Sequence, residues 1–268
     1  MERKTITNNS HQARTSGFQT RRPKEKEMLF GIRAVIEAVD AGRALDKVLV
    51  RRDMSSAIAK ELLRKLERTA TPVQKVPAEK LNQFTDKNHQ GVIAFLSPVD
   101  FVDLTTFLPT LFERGEMPFI VVLDGITDVR NFGAIARTAL CAGAHALVVP
   151  AHGGAAINGD AVKTSAGALH TIPVCKVENM QNALRFLNDS GILTVAATEH
   201  AEKIYTEADF QGPLAIIMGS ENKGIYPANL ELCHDKVKLP MQGPIESLNV
   251  SVAAGVFCYE VVRQRTGK

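Results

Sequence analysis

The sequence predicts an α/β protein whose larger part is a parallel sheet with helices on both faces. Four apolar runs are continuous rather than alternating, as in strands that a sheet buries on both sides. They are PFIVVLDG (118–125), HALVVP (145–150), GILTVAAT (191–198) and PLAIIMGSE (213–221). Segments with helical spacing separate them, at 132–142, 180–188 and 248–264. Ligands of such sheets bind outside the carboxyl ends of the strands, and glycines and polar residues follow the strands here.

A smaller α/β unit precedes this sheet. Its predicted elements are a helix at 31–39, a strand at 47–50, a helix at 58–66, an extended segment at 73–76 and a strand at 92–96. The next stretch contains prolines, charges and one weak helix, which favours a domain boundary near Ser97 and Pro98. We therefore predict a domain at 28–97 and a second at 98–268.

The first 27 residues differ in composition from the rest. They carry seven basic and three acidic side chains, so all of the net charge of +3 comes from this tail. Without apolar periodicity the tail is predicted to be disordered, and it either contacts phosphates or is only solvated. No apolar run reaches about 18 residues and the N-terminus is polar, which predicts a cytoplasmic protein with no membrane span and no secretory signal.

The cysteines and histidines do not predict a metal site. The four cysteines are far apart in the sequence and form no CxxC pair, and the seven histidines do not cluster. Zinc sites need ligands at closer spacing. We predict buried free thiols and no metal.

The first of three informative segments is LDGITDVRNFGAIARTALCAGA, where a strand leads into a helix. Asn131 is suited to cap that helix, and it is also a candidate site residue. Gly133 lies one helical turn before Arg137 and leaves a bare surface, which predicts close approach of a sugar-phosphate backbone. The guanidinium of Arg137 suits a phosphate, although alone it also fits a solvated helix charge.

The other two segments follow the last predicted strand. In IIMGSENKG, two glycines allow a tight turn and Glu221 places a carboxylate at the end of the strand. The pattern GxGxxG is missing, so a nicotinamide cofactor is not predicted. In KLPMQGPIESLNVSVAAG, prolines and a glycine prevent regular structure before a helix that starts at Ser247 or Asn249. Long irregular loops in compact domains are usually functional.

Together, these segments resemble the SpoU, or TrmH-type, family of RNA ribose methyltransferases within the SPOUT class. NFGAIARTA, MGSENKG and LPMQGPIESLNVSVAAG match its three motifs in order, while GIRAVIEAV and HQGVIA resemble its small substrate-binding domain of ribosomal-protein-like α/β fold. The resemblance is greatest to members that methylate a guanosine ribose in large-subunit ribosomal RNA. It implies a deep trefoil knot near the C-terminus, a homodimer and S-adenosylmethionine as cofactor.

The resemblance also implies the site residues. The five implied catalytic residues are Asn131, Arg137, Glu221, Ser247 and Asn249. The six implied cofactor-binding residues are Thr198, Gly219, Leu239, Met241, Leu248 and Asn249. The family often has proline where this chain has Val129, a difference that removes no functional group.

The implied reaction is in-line attack of a ribose 2'-hydroxyl on the sulfonium methyl group, in which the enzyme mainly positions the reactants and manages one proton. Keeping an arginine neutral at pH 7 to act as the base costs about 7 kcal/mol, so we expect Arg137 to clamp phosphate and oxyanion instead.

Alternatives are 2'-O-methylation of a different ribosomal or transfer RNA nucleotide, including an antibiotic-resistance type, and a non-catalytic assembly factor that binds RNA. We expect residues 28–97 to select the RNA, with five side chains available for phosphates and bases: Arg33, Arg51, Arg52, Lys87 and His89.

Overall fold

The computed structural model describes residues 28–69 and 71–267, arranged around two sheets. The charged tail at 1–27, with its predicted disorder, lies outside the described residues. The first sheet has four strands and the second has eight, and every strand pair of the second sheet is parallel. The predicted α/β class with a parallel sheet is confirmed.

The first sheet uses the chain from Met28 to Leu96. Its elements are β1 (Met28–Phe30), α1 (Ile32–Asp40), β2 (Leu45–Arg51), α2 (Ala57–Leu66), β3 (Val73–Val76), α3 (Ala78–Asn82) and β4 (Val92–Leu96). The strand order is β1-β4-β2-β3, with β2 and β3 parallel and the other pairs antiparallel. Helices α1 and α2 pack on one face through an apolar cluster that includes Val35, Leu62 and Val48.

The second sheet and its helices occupy the rest of the described chain. The elements are β5 (Phe101–Val102), α4 (Leu104–Glu113), β6 (Phe119–Asp124), α5 (Val129–Cys141), β7 (Ala146–Pro150), α6 (Gly159–Thr164), β8 (Val174–Val177), α7 (Met180–Asp189), β9 (Leu193–Ala197), β10 (Lys203–Ile204), β11 (Leu214–Gly219), α8 (Pro227–Leu230), β12 (Asp235–Lys238) and α9 (Val250–Thr266). The strand order is β10-β12-β9-β11-β6-β7-β8-β5. Strands β6, β9 and β11 are therefore neighbours in the middle of the sheet.

Both faces of this sheet are covered, which explains the continuous apolar runs. Along β6, Val121 joins the core beneath α5 and α9, whereas Val122 joins the core beneath α4 and α7. Successive side chains of a strand point to opposite faces, so every position in such a strand must be apolar. The sheet thereby fixes the positions of the loops that follow its strands.

Some sequence expectations need correction in detail. The last helix begins at Val250 rather than near Ser247, and α5 begins at Val129, before Asn131. Cys175 and Cys258 are buried as predicted, and burial raises the pKa of each thiol to about 12, but Cys141 is exposed. The trefoil knot implied by the resemblance remains a prediction.

No helix in 28–69 or 71–267 is long and apolar enough to cross a membrane. Over the same ranges, no group of three or more His, Cys, Asp and Glu side chains is arranged to hold a metal ion.

Candidate functional site

A pocket lies at the carboxyl ends of β9 and β11. Because β6, β9 and β11 are parallel neighbours, their carboxyl ends share one edge of the sheet, and the loops that follow them meet there. The pocket is closed on the other side by the segment before α9 and by α9 itself. Its lining residues are Ala197, Thr198, Glu199, Met218, Gly219, Ser220, Glu221, Gly224, Leu239, Met241, Glu246, Ser247, Leu248, Val250, Ala253 and Phe257.

Asn131 does not cap α5. Asp128 is the N-cap, and its Oδ1 accepts hydrogen bonds from the backbone N–H groups of Arg130 (2.8 Å) and Asn131 (2.9 Å). These hydrogen bonds lower the pKa of Asp128, the one from Asn131 being the largest cause. The side chain of Asn131 is therefore free for other contacts, and the capping alternative is wrong.

Glu221 joins residues from all three informative segments. Its Oε1 accepts hydrogen bonds from Asn131 Nδ2 (3.0 Å), Asn249 Nδ2 (2.5 Å) and the backbone N–H of Val250 (3.4 Å). Asn249 Nδ2 also donates to Asn131 Oδ1 at 3.1 Å. Three side chains that are far apart in the sequence thus form one hydrogen-bonded cluster beside the pocket, which we call the Asn-Glu-Asn cluster (Asn131, Glu221 and Asn249).

Asn249 has a second role as the N-cap of α9. Its Oδ1 accepts from the backbone N–H of Ser251 at 3.0 Å and from the Ser251 hydroxyl at 2.5 Å. The same amide therefore starts the helix with its oxygen and contacts Glu221 with its nitrogen. Ser247 lies two residues before the cap and lines the pocket, so the expectation that Ser247 caps this helix is wrong.

The structure brings the predicted cofactor residues together. Five of the six line the pocket, namely Thr198, Gly219, Leu239, Met241 and Leu248, while Asn249 borders it through Glu221. The lining combines apolar side chains with three carboxylates, those of Glu199, Glu221 and Glu246, and none of the described lining residues is basic. Such a pocket favours a ligand that has an apolar ring system and a positive charge.

Arg137 stands apart from the other four predicted catalytic residues. It lies on α5 six positions after Asn131, which places it about 9 Å farther along the helix and about 120° around it. Its side chain is exposed and does not line the pocket, and it has no hydrogen bond or ion pair with any residue in the described part of the chain. The side chain of Asn131 contacts Glu221 and Asn249 and has no hydrogen bond to Arg137 of its own chain.

Gly133 serves helix packing rather than RNA approach. It is buried where α5 crosses α6, and a Cβ atom there would lie 2.7 Å from Thr164 Cβ and 2.9 Å from the Ala161 carbonyl oxygen. Contacts under 3 Å between such atoms do not occur without movement of the backbone. The expectation that this glycine leaves a bare surface for a sugar-phosphate backbone is wrong.

This packing role predicts a stability effect. Gly133→Ala is expected to lower the free energy of unfolding by about 1–3 kcal/mol, because the added methyl group overpacks the contact between α5 and α6. Gly159→Ala is the matched control, since a Cβ atom at Gly159, in the first turn of α6, meets nothing within 4 Å. Urea unfolding of both variants makes the comparison. Equal stability of the two would contradict the packing role.

Nine residues that line the pocket were not among the predicted site residues, and the sequence carried a signal for three of them, Glu199, Glu246 and Phe257. Glu199 immediately follows Thr198 at the end of β9, and Glu246 immediately precedes Ser247, so adjacency to predicted residues was the available signal. Phe257 lies seven residues after Val250 on α9, and this helical spacing from the start of the helix could have placed it on the pocket face.

Two family models match most of the described chain. Residues 118–259 match the model of the SpoU rRNA Methylase family, and residues 28–102 match the model described as RNA 2'-O ribose methyltransferase substrate binding. A putative TrmH family tRNA/rRNA methyltransferase of Bacillus subtilis is 34% identical over 242 residues, covering 90% of this chain and 97% of that protein. The 23S rRNA (guanosine-2'-O-)-methyltransferase of Photobacterium profundum is 36% identical, covering 89% and 98%.

A solved structure agrees with these relatives. The SpoU methyltransferase AviRb from Streptomyces viridochromogenes, in complex with the cofactor AdoMet, matches with a TM-score of 0.57 and 28% identity, covering 90% of this chain and 91% of that one. The resemblance drawn from the three sequence motifs is thereby confirmed. The chain belongs to the SpoU rRNA methylase family.

Proposed function

We propose that this protein transfers a methyl group from S-adenosylmethionine to a ribose 2'-hydroxyl of RNA, and that its substrate is a guanosine of 23S ribosomal RNA. The observation that carries the proposal is the Asn-Glu-Asn cluster, which gathers one residue from each family motif at the edge of a single pocket. The relatives named as 23S rRNA guanosine methyltransferases support the choice of nucleotide. A ribosomal RNA substrate supports a cytoplasmic location, which we propose as part of the same function.

The pocket fits the cofactor chemically. S-adenosylmethionine has an adenine ring, a positively charged sulfonium and an amino group, and it supplies an electrophilic methyl group. Leu239, Leu248 and Phe257 offer apolar surface for the ring. The carboxylates that line the pocket balance the positive charges. We propose Thr198, Gly219, Leu239, Met241, Leu248 and Asn249 as the cofactor-binding residues.

Each catalytic side chain has a proposed role. Glu221 holds the amides of Asn131 and Asn249 in fixed orientations, so the rim of the pocket is set before substrate arrives. Ser247 lines the pocket beside them and contacts the nucleotide. Arg137 keeps its positive charge and stabilises the phosphate and the oxyanion that develops on the ribose, because a guanidinium binds such oxygens with two parallel donors.

We propose that the protein works as a homodimer. Helix α9 exposes Val252 and Tyr259, each 53% accessible, and their spacing of seven residues puts them on one face. Ile245, in the segment before the helix, is 70% accessible. Exposed apolar side chains of this kind suit an isologous contact. Arg137, which lies away from the pocket of its own chain, then reaches the pocket of the partner.

Residues 28–97 are proposed to bind the substrate RNA, and the contacts within this unit narrow the set of candidate side chains. Arg51 Nε is engaged by Asp53 Oδ1 at 2.6 Å. The ring of His89 is held on both sides, by Gly91 N–H on Nδ1 (3.0 Å) and by Asn82 Oδ1 at Nε2 (2.9 Å). Burial lowers the pKa of His89, and the positive charge of Arg51 lowers it further, so His89 is a neutral part of its loop at pH 7. Arg33 and Arg52 are exposed and remain the best phosphate contacts.

A methyl-transfer assay tests the proposed function. The full chain is incubated with S-adenosylmethionine and ribosomal RNA from cells that lack the gene, and 2'-O-methyl sites are mapped by resistance to alkaline cleavage. We expect one new site on a guanosine of 23S RNA. A site in transfer RNA alone would correct the substrate, and the absence of any methyl transfer in either RNA would contradict the function.

A further inference from the structure

Asp124 is a buried carboxylate that the roles described so far do not include. It ends β6, its exposed fraction is 3%, and no ion pair among the described residues involves it. Its Oδ2 accepts hydrogen bonds from the backbone N–H of Tyr226 (2.8 Å) and from Asn229 Nδ2 (3.0 Å). Burying a carboxylate without a positive partner is costly, so its two hydrogen-bond donors are the contacts that hold it in place.

These donors belong to the far end of the loop that carries Glu221. The loop leaves the sheet at Gly219, whose register partner across β6 and β11 is Asp124 itself. The chain returns to Asp124 at Tyr226. A single residue therefore fixes the start of the loop through its backbone pairing and the end of the loop through its side chain.

The loop between these two points is tight. Ser220 and Gly224 exchange backbone hydrogen bonds of 3.0 and 2.8 Å, so Glu221 lies within a closed five-residue turn. A Cβ atom at Gly219 would lie 2.2 Å from the Gly224 carbonyl carbon, which shows how closely the returning chain covers the end of the strand. Such a loop has little freedom, and a displacement at Tyr226 moves Glu221.

We propose that Asp124 is a positioning residue for methyl transfer, holding the returning chain so that the Glu221 carboxylate stays on Asn131 and Asn249. This role rests on the proposed function of the same site. Displacements of about 1 Å can cost on the order of a hundredfold in rate, because reacting groups must keep a narrow geometry. Asp124 itself does not line the pocket, so its effect on the reaction passes through Glu221.

A double-mutant cycle tests this route. Asp124→Ala is expected to lower kcat about thirtyfold in the otherwise unchanged chain, but by less than about threefold in a Glu221→Ala background, because residues that act through one another are not additive. The KM for RNA is expected to stay within about threefold in both backgrounds, since the RNA contacts lie elsewhere. Equal losses of kcat in the two backgrounds would mean a merely structural role and would overturn the proposal.

Two further variants separate positioning from folding. Asp124→Asn keeps an oxygen that can accept from both donors, so kcat within about fivefold of the unchanged chain is expected. Should Asp124→Ala fail to fold, Asn229→Ala removes one donor of the pair and takes its place in the cycle. Thr194→Ala is the control, because its buried hydroxyl contacts Asn188 and His234 near the amino end of β9, away from the pocket. We expect this variant to lose stability without losing kcat.

Hydrogen exchange supplies a readout that does not depend on activity. In Asp124→Ala the amides of Ser220 and Gly224 are expected to exchange at least about tenfold faster, because their closed turn loses its anchor. In Asp124→Asn these amides keep their protection. If the unchanged chain transfers methyl groups but Asp124→Ala leaves the exchange of both amides unchanged, the positioning role is overturned. If the unchanged chain transfers no methyl group but Asp124→Ala speeds the exchange as expected, only the proposed function is overturned.

Discussion

Arg137→Ala is expected to lower kcat for methyl transfer about a thousandfold while the affinity for S-adenosylmethionine changes by less than about threefold. The structure supports this separation, because Arg137 is exposed on α5 and does not line the pocket of its own chain. Single-turnover methylation measures the first quantity and titration calorimetry measures the second. A loss of cofactor affinity comparable to the loss of rate would contradict the placement of Arg137 on the RNA side.

Arg137→Lys distinguishes two roles for this side chain. A phosphate and oxyanion clamp needs a positive charge, so lysine is expected to retain about a tenth of the rate, losing only the paired donors of the guanidinium. A general base needs a neutral group, and neutralising an arginine at pH 7 costs about 7 kcal/mol. Equal losses in the lysine and alanine variants would favour the base.

Mixed dimers then show which protomer provides Arg137. Arg137→Ala and Glu221→Ala chains, each with only a small fraction of the unmutated rate, are unfolded together and refolded. Half of the dimers are then mixed, and one of their two sites combines an intact Arg137 with an intact Glu221, so about a quarter of the unmutated activity is expected if the arginine acts across the interface. Recovery of activity would also demonstrate the homodimer. No recovery would place Arg137 and Glu221 of one chain in the same site.

The sequence predicted the central strands of the larger sheet better than the strands near its edges. Strands β6, β7, β9 and β11 were found because burial on both faces makes their residues uniformly apolar. The strand β12 was missed because DKVK has a single apolar residue, and only Val237 of this strand is buried. The backbone hydrogen bonds of β12 to β9 and β10 define a strand whose composition does not mark it.

The candidate site was predicted as a list of residues but not as an arrangement. The residue type of Asn131 and its place before a helix made it a plausible cap. Its contacts with Glu221, 90 residues away, and Asn249, 118 residues away, cannot be seen from neighbouring residues in the sequence. Gly133 was misread for the same reason, since its partner α6 is remote in sequence. Residue type and spacing predict which side chains can act, whereas only tertiary contacts determine which of them act together.

Removal of residues 1–97 is expected to abolish methylation of ribosomal RNA, by at least about a hundredfold in kcat/KM, while S-adenosylmethionine still binds within about threefold of its usual affinity. The pocket and the Asn-Glu-Asn cluster lie entirely after residue 128, on a sheet that has its own core on both faces. The sheet formed by 28–96 has separate apolar clusters. Neither core needs the other for its own packing, so the shortened chain is expected to fold.

The loss is expected because a site for one ribose cannot select one nucleotide among thousands. Contacts with a 2'-hydroxyl and its adjacent phosphates are the same at every position of an RNA, and sequence-specific recognition usually relies on splayed bases in loops. A second contact surface is therefore needed, and the domain of residues 28–102 matches the family's substrate-binding model. We expect its exposed arginines to supply phosphate contacts that fix the orientation of the RNA.

A substitution pair tests this surface without removing the domain. Arg33→Ala with Arg52→Ala is expected to weaken RNA binding and to reduce the slope of log Kd against log salt by about 1.4, because each lost phosphate contact on single-stranded RNA removes about 0.7 from that slope. Arg64→Ala, on the last turn of α2, is the matched control for loss of a basic residue in the same domain. If the chain that lacks 1–97 methylates the same nucleotide at the full rate, selection resides in the larger domain. The pocket rim would then have to read bases as well as hold the ribose.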